Sequence, residues 1–120
     1  MPLDPQGDLE KEFVQAALAR SKYLRQGDAT KAGREREKLR AIAARIRALE
    51  DRGLAVLRRI AGSQDAELRL LAAAGLLEID KAFAVAVLQK VRQGRDESKA
   101  FDAEMILKEW DLGMKPEFWA

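Results

Sequence analysis

Few side chains in this sequence have the type and spacing to do chemistry. Three acid pairs adjoin apolar segments: Glu78 with Asp80, Asp96 with Glu97, and Asp102 with Glu104. Two carboxylates whose surroundings push their proton affinities apart can divide acid and base roles between them. A structural reading of each pair carries more weight. Asp80 stands where a helix cap belongs. Asp96 and Glu97 stand at a helix start, where the macrodipole favours anions, and Asp102 and Glu104, two apart on a helix, face different ways. The chain contains no histidine and no cysteine, so the usual proton shuttle near neutral pH and the commonest zinc ligands are missing. No GxxxxGK[ST] or GxGxxG phosphate loop occurs. The expectation is a protein that is not an enzyme and takes no cofactor or metal.

Binding is the stronger theme. Residues 31–59 hold ten Lys and Arg against four Asp and Glu, a net of +6 within a chain whose total is +2. On one helix, Arg34, Lys38, Arg45 and Arg52 would form a side opposite Leu39, Ile42 and Ile46, and such a stripe could lie along a phosphate backbone. The interleaved Glu35, Glu37, Glu50 and Asp51 favour a solvated face laced with ion pairs, and no aromatic residue sits among the cations to stack on bases. Nucleic-acid binding through these four residues is therefore the second reading. At the other end, Trp110, Phe118 and Trp119 crowd the last residues. They either cover the open end of the fold or anchor a partner or a second copy of the chain. Arg69 has two readings as well: it braces neighbouring helices through Asp65 or a neighbouring acid, or it points into a concave binding surface, with bracing the weightier.

The elements that must position these residues follow from apolar spacing. Residues 65–79, DAELRLLAAAGLLEI, predict a helix with almost no polar face, which must be buried on both sides. Around it the spacing predicts a first helix capped by Asp8, with Leu9, Phe13, Ala16, Ala17 and Leu24 inward, stopped at Gly27. Asp28 caps a second helix that runs to about Arg52, with Gly53 as its stop. A short third helix covers 54–61, a fifth follows Asp80 with Phe83, Val87, Leu88 and Val91 on one face, and a sixth runs from about 97 to 112 with Phe101, Met105, Ile106 and Trp110 inward. No stretch alternates as a strand does. There is no run of about 18 apolar residues to span a membrane and no basic-then-apolar leader, so the expected location is the cytoplasm.

The spacing Asp65-x-x-Leu68-Arg69-x-x-Ala72-Ala73-x-x-Leu76 resembles the second helix of a HEAT repeat, with residues 54–61 as the first helix of that repeat and 80–112 as a second, less regular one. Over residues 31–116 the chain also resembles a small bacterial family of HEAT-like helical domains of unknown function. The resemblance rests on the Leu68-Arg69 and Ala72-Ala73 segment, residues 82–91, Ala103-Glu104-Met105-x-Leu107, Gly113 and Pro116. It implies an all-α fold, a compact αα-superhelix of stacked helical hairpins with about six helices in a single domain. In that arrangement residues 8–52 form an N-terminal pair, 53–112 the HEAT-like helices and 113–120 an aromatic tail. It brings no activity or binding residues. Such stacks present shaped surfaces and few reactive groups, so the expected function is a non-catalytic protein-interaction module whose partner is another protein, with a homo-oligomer also open.

Overall fold

Four aspartates start four helices. Asp28, Asp65, Asp80 and Asp96 each accept a hydrogen bond from the backbone N–H three residues on, at 3.0, 3.1, 3.4 and 3.1 Å, the arrangement that satisfies one of the orphan donors of a helix N-terminus. In the computed structural model, which describes residues 5–114, the helices are α1 (Pro5–Arg25), α2 (Ala29–Ala48), α3 (Asp51–Ala61), α4 (Ala66–Leu76), α5 (Lys81–Arg92) and α6 (Glu97–Asp111). The fold is all-α, with no strand among the described residues, and no described helix is long and apolar enough to cross a membrane.

The chain divides into two compact units, Met1–Val56 and Leu57–Ala120, the division falling inside α3. In the first, α1 and α2 pack as a hairpin. Leu9, Phe13, Ala16 and Ala17 are buried on α1, as are Leu39, Ile42, Ala43 and Ile46 on α2. The turn between them is short because two motifs share it. Gly27, at φ +74, donates to the Leu24 carbonyl, and Asp28 donates to that of Tyr23, closing α1 in a Schellman motif while the Asp28 side chain caps α2.

Three expectations for this unit need correction. Asp8 does not cap α1: the helix already starts at Pro5, whose missing N–H costs nothing in a first turn. Leu24 is 51% exposed, because the buried face of α1 continues through half-buried Arg20 and Tyr23, one helical step away from it. The second helix ends at Ala48 and not near Arg52. The chain turns at Glu50, which adopts φ 55, and Arg52 lies on α3. Gly53, expected as a stop, sits inside α3. A Cβ there would lie 1.9 Å from the Ile46 carbonyl oxygen, so this glycine serves a close approach of backbones and not a left-handed turn.

In the second unit α5 packs on both α4 and α6, and α4 also meets α6. The helix predicted to be apolar all round is buried all round. From residue 68 to 77 every position except Arg69 is buried. Glu67 and Lys99, both largely buried, form an ion pair from α4 to α6. The helix ends at Leu76 and not at Ile79, which is 50% exposed in the turn that leads to Asp80. Phe83 and Phe101, expected inward, are exposed, Phe101 by 61%. Ala72 and Ala73 on α4, Ala84 on α5 and Ala103 on α6 have no exposed surface. Small side chains let helix axes come close, and on α6 Ala103 is buried while Ala100, Met105, Ile106, Leu107 and Trp110 are half-buried and Phe101 is outside. Gly113, at φ +84, donates to the Trp110 carbonyl and Met114 to that of Glu109, closing α6.

Candidate functional site

One member of each acid pair is occupied with structure. Asp80 receives a hydrogen bond from Arg58 and caps α5, Asp96 caps α6, and Glu104 lies 3.5 Å from Lys108 one turn along. Among the described residues no group of three or more carboxylates is placed to hold a metal ion. The hydrogen bond from Arg58, joined by that from the Phe83 N–H, outweighs partial desolvation and holds the Asp80 carboxyl below the usual carboxylate range.

That depression has a sign. A carboxylate whose proton affinity is lower folded than unfolded adds stability above its unfolded pKa, and the contribution disappears as pH falls through the folded value. Asp80→Asn should keep most of the cap, since asparagine caps as well as aspartate, and lose only the charge interaction. Urea midpoints measured across a pH series should show wild type ahead of the variant near neutrality, with the gap closing as pH drops below about 4. A gap that persists at the lowest pH would show that Arg58 contributes nothing through the Asp80 charge.

The basic stripe is partly dismantled. Arg45 reaches Glu12 of α1 at 3.1 Å and Lys38 reaches Glu35 at 3.1 Å. Arg40 sits 3.8 Å from Glu37. Arg34 is exposed on α2, and Arg52 is exposed on α3, so the four residues do not share one helix. Of the aromatic residues, Trp110 is half-buried on α6, where its carbonyl takes part in the helix cap, while Phe118 and Trp119 lie outside the described residues.

Arg69 is the exception within α4. It is half-buried where all its neighbours from 68 to 77 are buried, and its Nε is enclosed with no hydrogen-bond partner among the described residues. The expected brace to Asp65 is not made; Asp65 accepts from the Leu68 N–H that it caps. Arg69 instead lines a cleft of about 440 Å³ in the second unit, bounded by residues 61–64 at the end of α3 and by Phe83, Ala86, Val87 and Lys90 of α5. Those α5 positions recur at i, i+3, i+4 and i+7 and so form one stripe. Arg58 lies over the Phe83 ring, 5.7 Å from its centroid, and is anchored there by Asp80. Among the described residues no acid lines the cleft.

Lys90 and the exposed edge of Phe83 were not visible as site residues in the sequence. Their meeting with Arg69 is a tertiary event, and Phe83 and Val87 fit a core face equally well. The available signal was the cation that ends an otherwise apolar α5 stripe. The cleft can seat a small apolar group and an anion side by side, since its α5 wall is hydrocarbon and its cations are Arg69 and Lys90. The chain matches no family model, no curated protein and no solved structure.

Proposed function

We propose that this chain is a non-catalytic, cytoplasmic protein-interaction module, built on the HEAT-like pattern that its fourth helix resembles, and that it holds a segment of another protein in the cleft beside Arg69. The observation that carries this reading is Arg69 itself. An arginine inside a run of buried aliphatic residues costs desolvation, and a buried guanidinium nitrogen without an acceptor costs more. Leucine or methionine at this position would serve stability better, so the guanidinium is explained by something it binds. The apolar stripe opposite supplies the surface that a protein segment can cover, and the volume falls in the range of sites that enclose a ligand of a few residues.

The test is an affinity capture from a nuclease-treated bacterial lysate, comparing wild type with Ala86→Trp. Ala86 is exposed on the cleft wall, so the indole fills the cleft with little expected effect on the core. A protein captured by wild type and lost in the variant supports the reading. Capture that Ala86→Trp leaves unchanged overturns the cleft as the binding face. Recovery of nucleic acid in untreated lysate, abolished by Arg34→Glu with Arg45→Glu, would put the basic α2 face in its place.

A further inference from the structure

We infer that the cleft beside Arg69 recognises a carboxylate carried next to an aliphatic side chain, as in an acidic peptide segment or a chain terminus. This deepens the reading of the cleft as a protein-binding site and rests on it. Three features of the second unit converge on it.

The first is the unmet hydrogen-bonding capacity of Arg69. Arg69 lines the cleft, and its enclosed Nε has no acceptor among the described residues. The two terminal Nη groups of a guanidinium form a planar fork that matches the two oxygens of a carboxylate. The second is the local charge. Elsewhere in this unit Arg58, Lys99 and Lys108 each have a carboxylate partner in Asp80, Glu67 and Glu104, whereas Arg69 and Lys90 have none among the described residues and no acid lines the cleft they share. Two unneutralised cations beside a low-dielectric wall attract an anion more strongly than the same cations would in open water. The third is that wall. Phe83, Ala86 and Val87 form a strip of hydrocarbon that a bare inorganic anion would leave uncovered, and that the side chain next to a carboxylate in a peptide would cover. Arg58 does not compete for the anion, because Asp80 already holds it.

The experiment follows the Arg69 Nε–Hε signal and the Val87 methyl signals of the intact, isotope-labelled protein by NMR, with Arg69→Lys used to assign the side-chain signal. Three probes are titrated at matched ionic strength: N-acetyl-leucine, with a terminal carboxylate; N-acetyl-leucyl-glutamate amide, with a side-chain carboxylate; and N-acetyl-leucinamide, with none. Inorganic phosphate is the fourth. The expected result is a saturable shift of both Arg69 and Val87 signals with one or both carboxylate probes, little response to the leucinamide, and apparent binding several-fold weaker in Lys90→Gln, a change at an exposed position. Which carboxylate probe binds more tightly distinguishes a chain terminus from an acidic side chain.

Equal responses to the leucinamide, with Val87 shifting and Arg69 silent, would overturn carboxylate recognition while leaving a protein-binding cleft in place. Phosphate binding as tight as the carboxylate probes, with no movement at Val87, would also overturn it in favour of a plain anion site. No saturable change with any probe overturns it too. In that case, loss of capture in Ala86→Trp shows whether the wider protein-binding reading stands.

Discussion

Gly53→Ala should cost roughly 3 kcal/mol of stability, the upper end of what overpacking a filled site does, although alanine is the better helix former by about 1 kcal/mol. The added methyl carbon would stand 1.9 Å from the Ile46 carbonyl oxygen, 2.9 Å from its carbonyl carbon and 3.2 Å from its Cγ2. The first two belong to the α2 backbone, which cannot move aside as a side-chain tip can. Relief requires the last turn of α2 and the first of α3 to separate, which strips contact from Ile46, a residue with no exposed surface. The natural control is Gly33→Ala on the same α2 helix. A Cβ at Gly33 meets nothing within 4 Å, so there the propensity gain acts alone and should stabilise by up to about 1 kcal/mol. Guanidinium unfolding of both variants reads the two signs side by side. A Gly53→Ala protein as stable as wild type would mean that α2 and α3 do not approach as described.

Leu76→Ala should be comparably severe, at about 2–5 kcal/mol. Leu76 closes α4 with no exposed surface and is followed by Leu77, which is 1% exposed. Truncation removes apolar contact from the helix that both α5 and α6 pack against, and a site flanked by short helices with their own fully buried alanines has little slack with which to collapse. Against a total stability that for a domain is commonly 5–15 kcal/mol, such a loss would shift the thermal midpoint by many degrees. A loss below about 1 kcal/mol would show that the surroundings refill the space and that α4 is not the centre of its unit's core.

The success of the sequence reading tracks how local each signal is. Asp28, Asp65 and Asp80 were legible as helix starts because a cap and the N–H it satisfies lie three residues apart. The buried character of α4 was legible because residues 68–77 contain one charge and otherwise only apolar or small side chains. Glycine is ambiguous in kind: Gly27 and Gly113 do end helices in left-handed turns, yet Gly53 has the same appearance in sequence and answers to a carbonyl seven residues earlier. The turn that Gly53 was expected to make is made by Glu50, a residue type that gives no such signal. On α6 one large residue misled. Phe101 has the greater apolar area, but close approach to α4 and α5 rewards Ala103. For the candidate site, Arg69 was visible as a residue with two roles, and in the structure its Nε finds no acceptor among the described residues while Asp65 accepts from the Leu68 N–H. Its company with Lys90 and Phe83 depends on how α4 and α5 pack, which no spacing along the chain encodes.

The short connections of this fold also bear on how it can be assembled. α1 meets α2 across residues 26–28, and within the second unit each of α4, α5 and α6 finds its partners among the other two. Contacts between segments so near in sequence close small loops at small entropic cost, the condition under which helical proteins fold quickly. The hairpin of α1 and α2 lies wholly within the first half of the chain, so its two helices can pair on a nascent chain while α5 and α6 are still being made, and the order of synthesis imposes no wait on the order of folding.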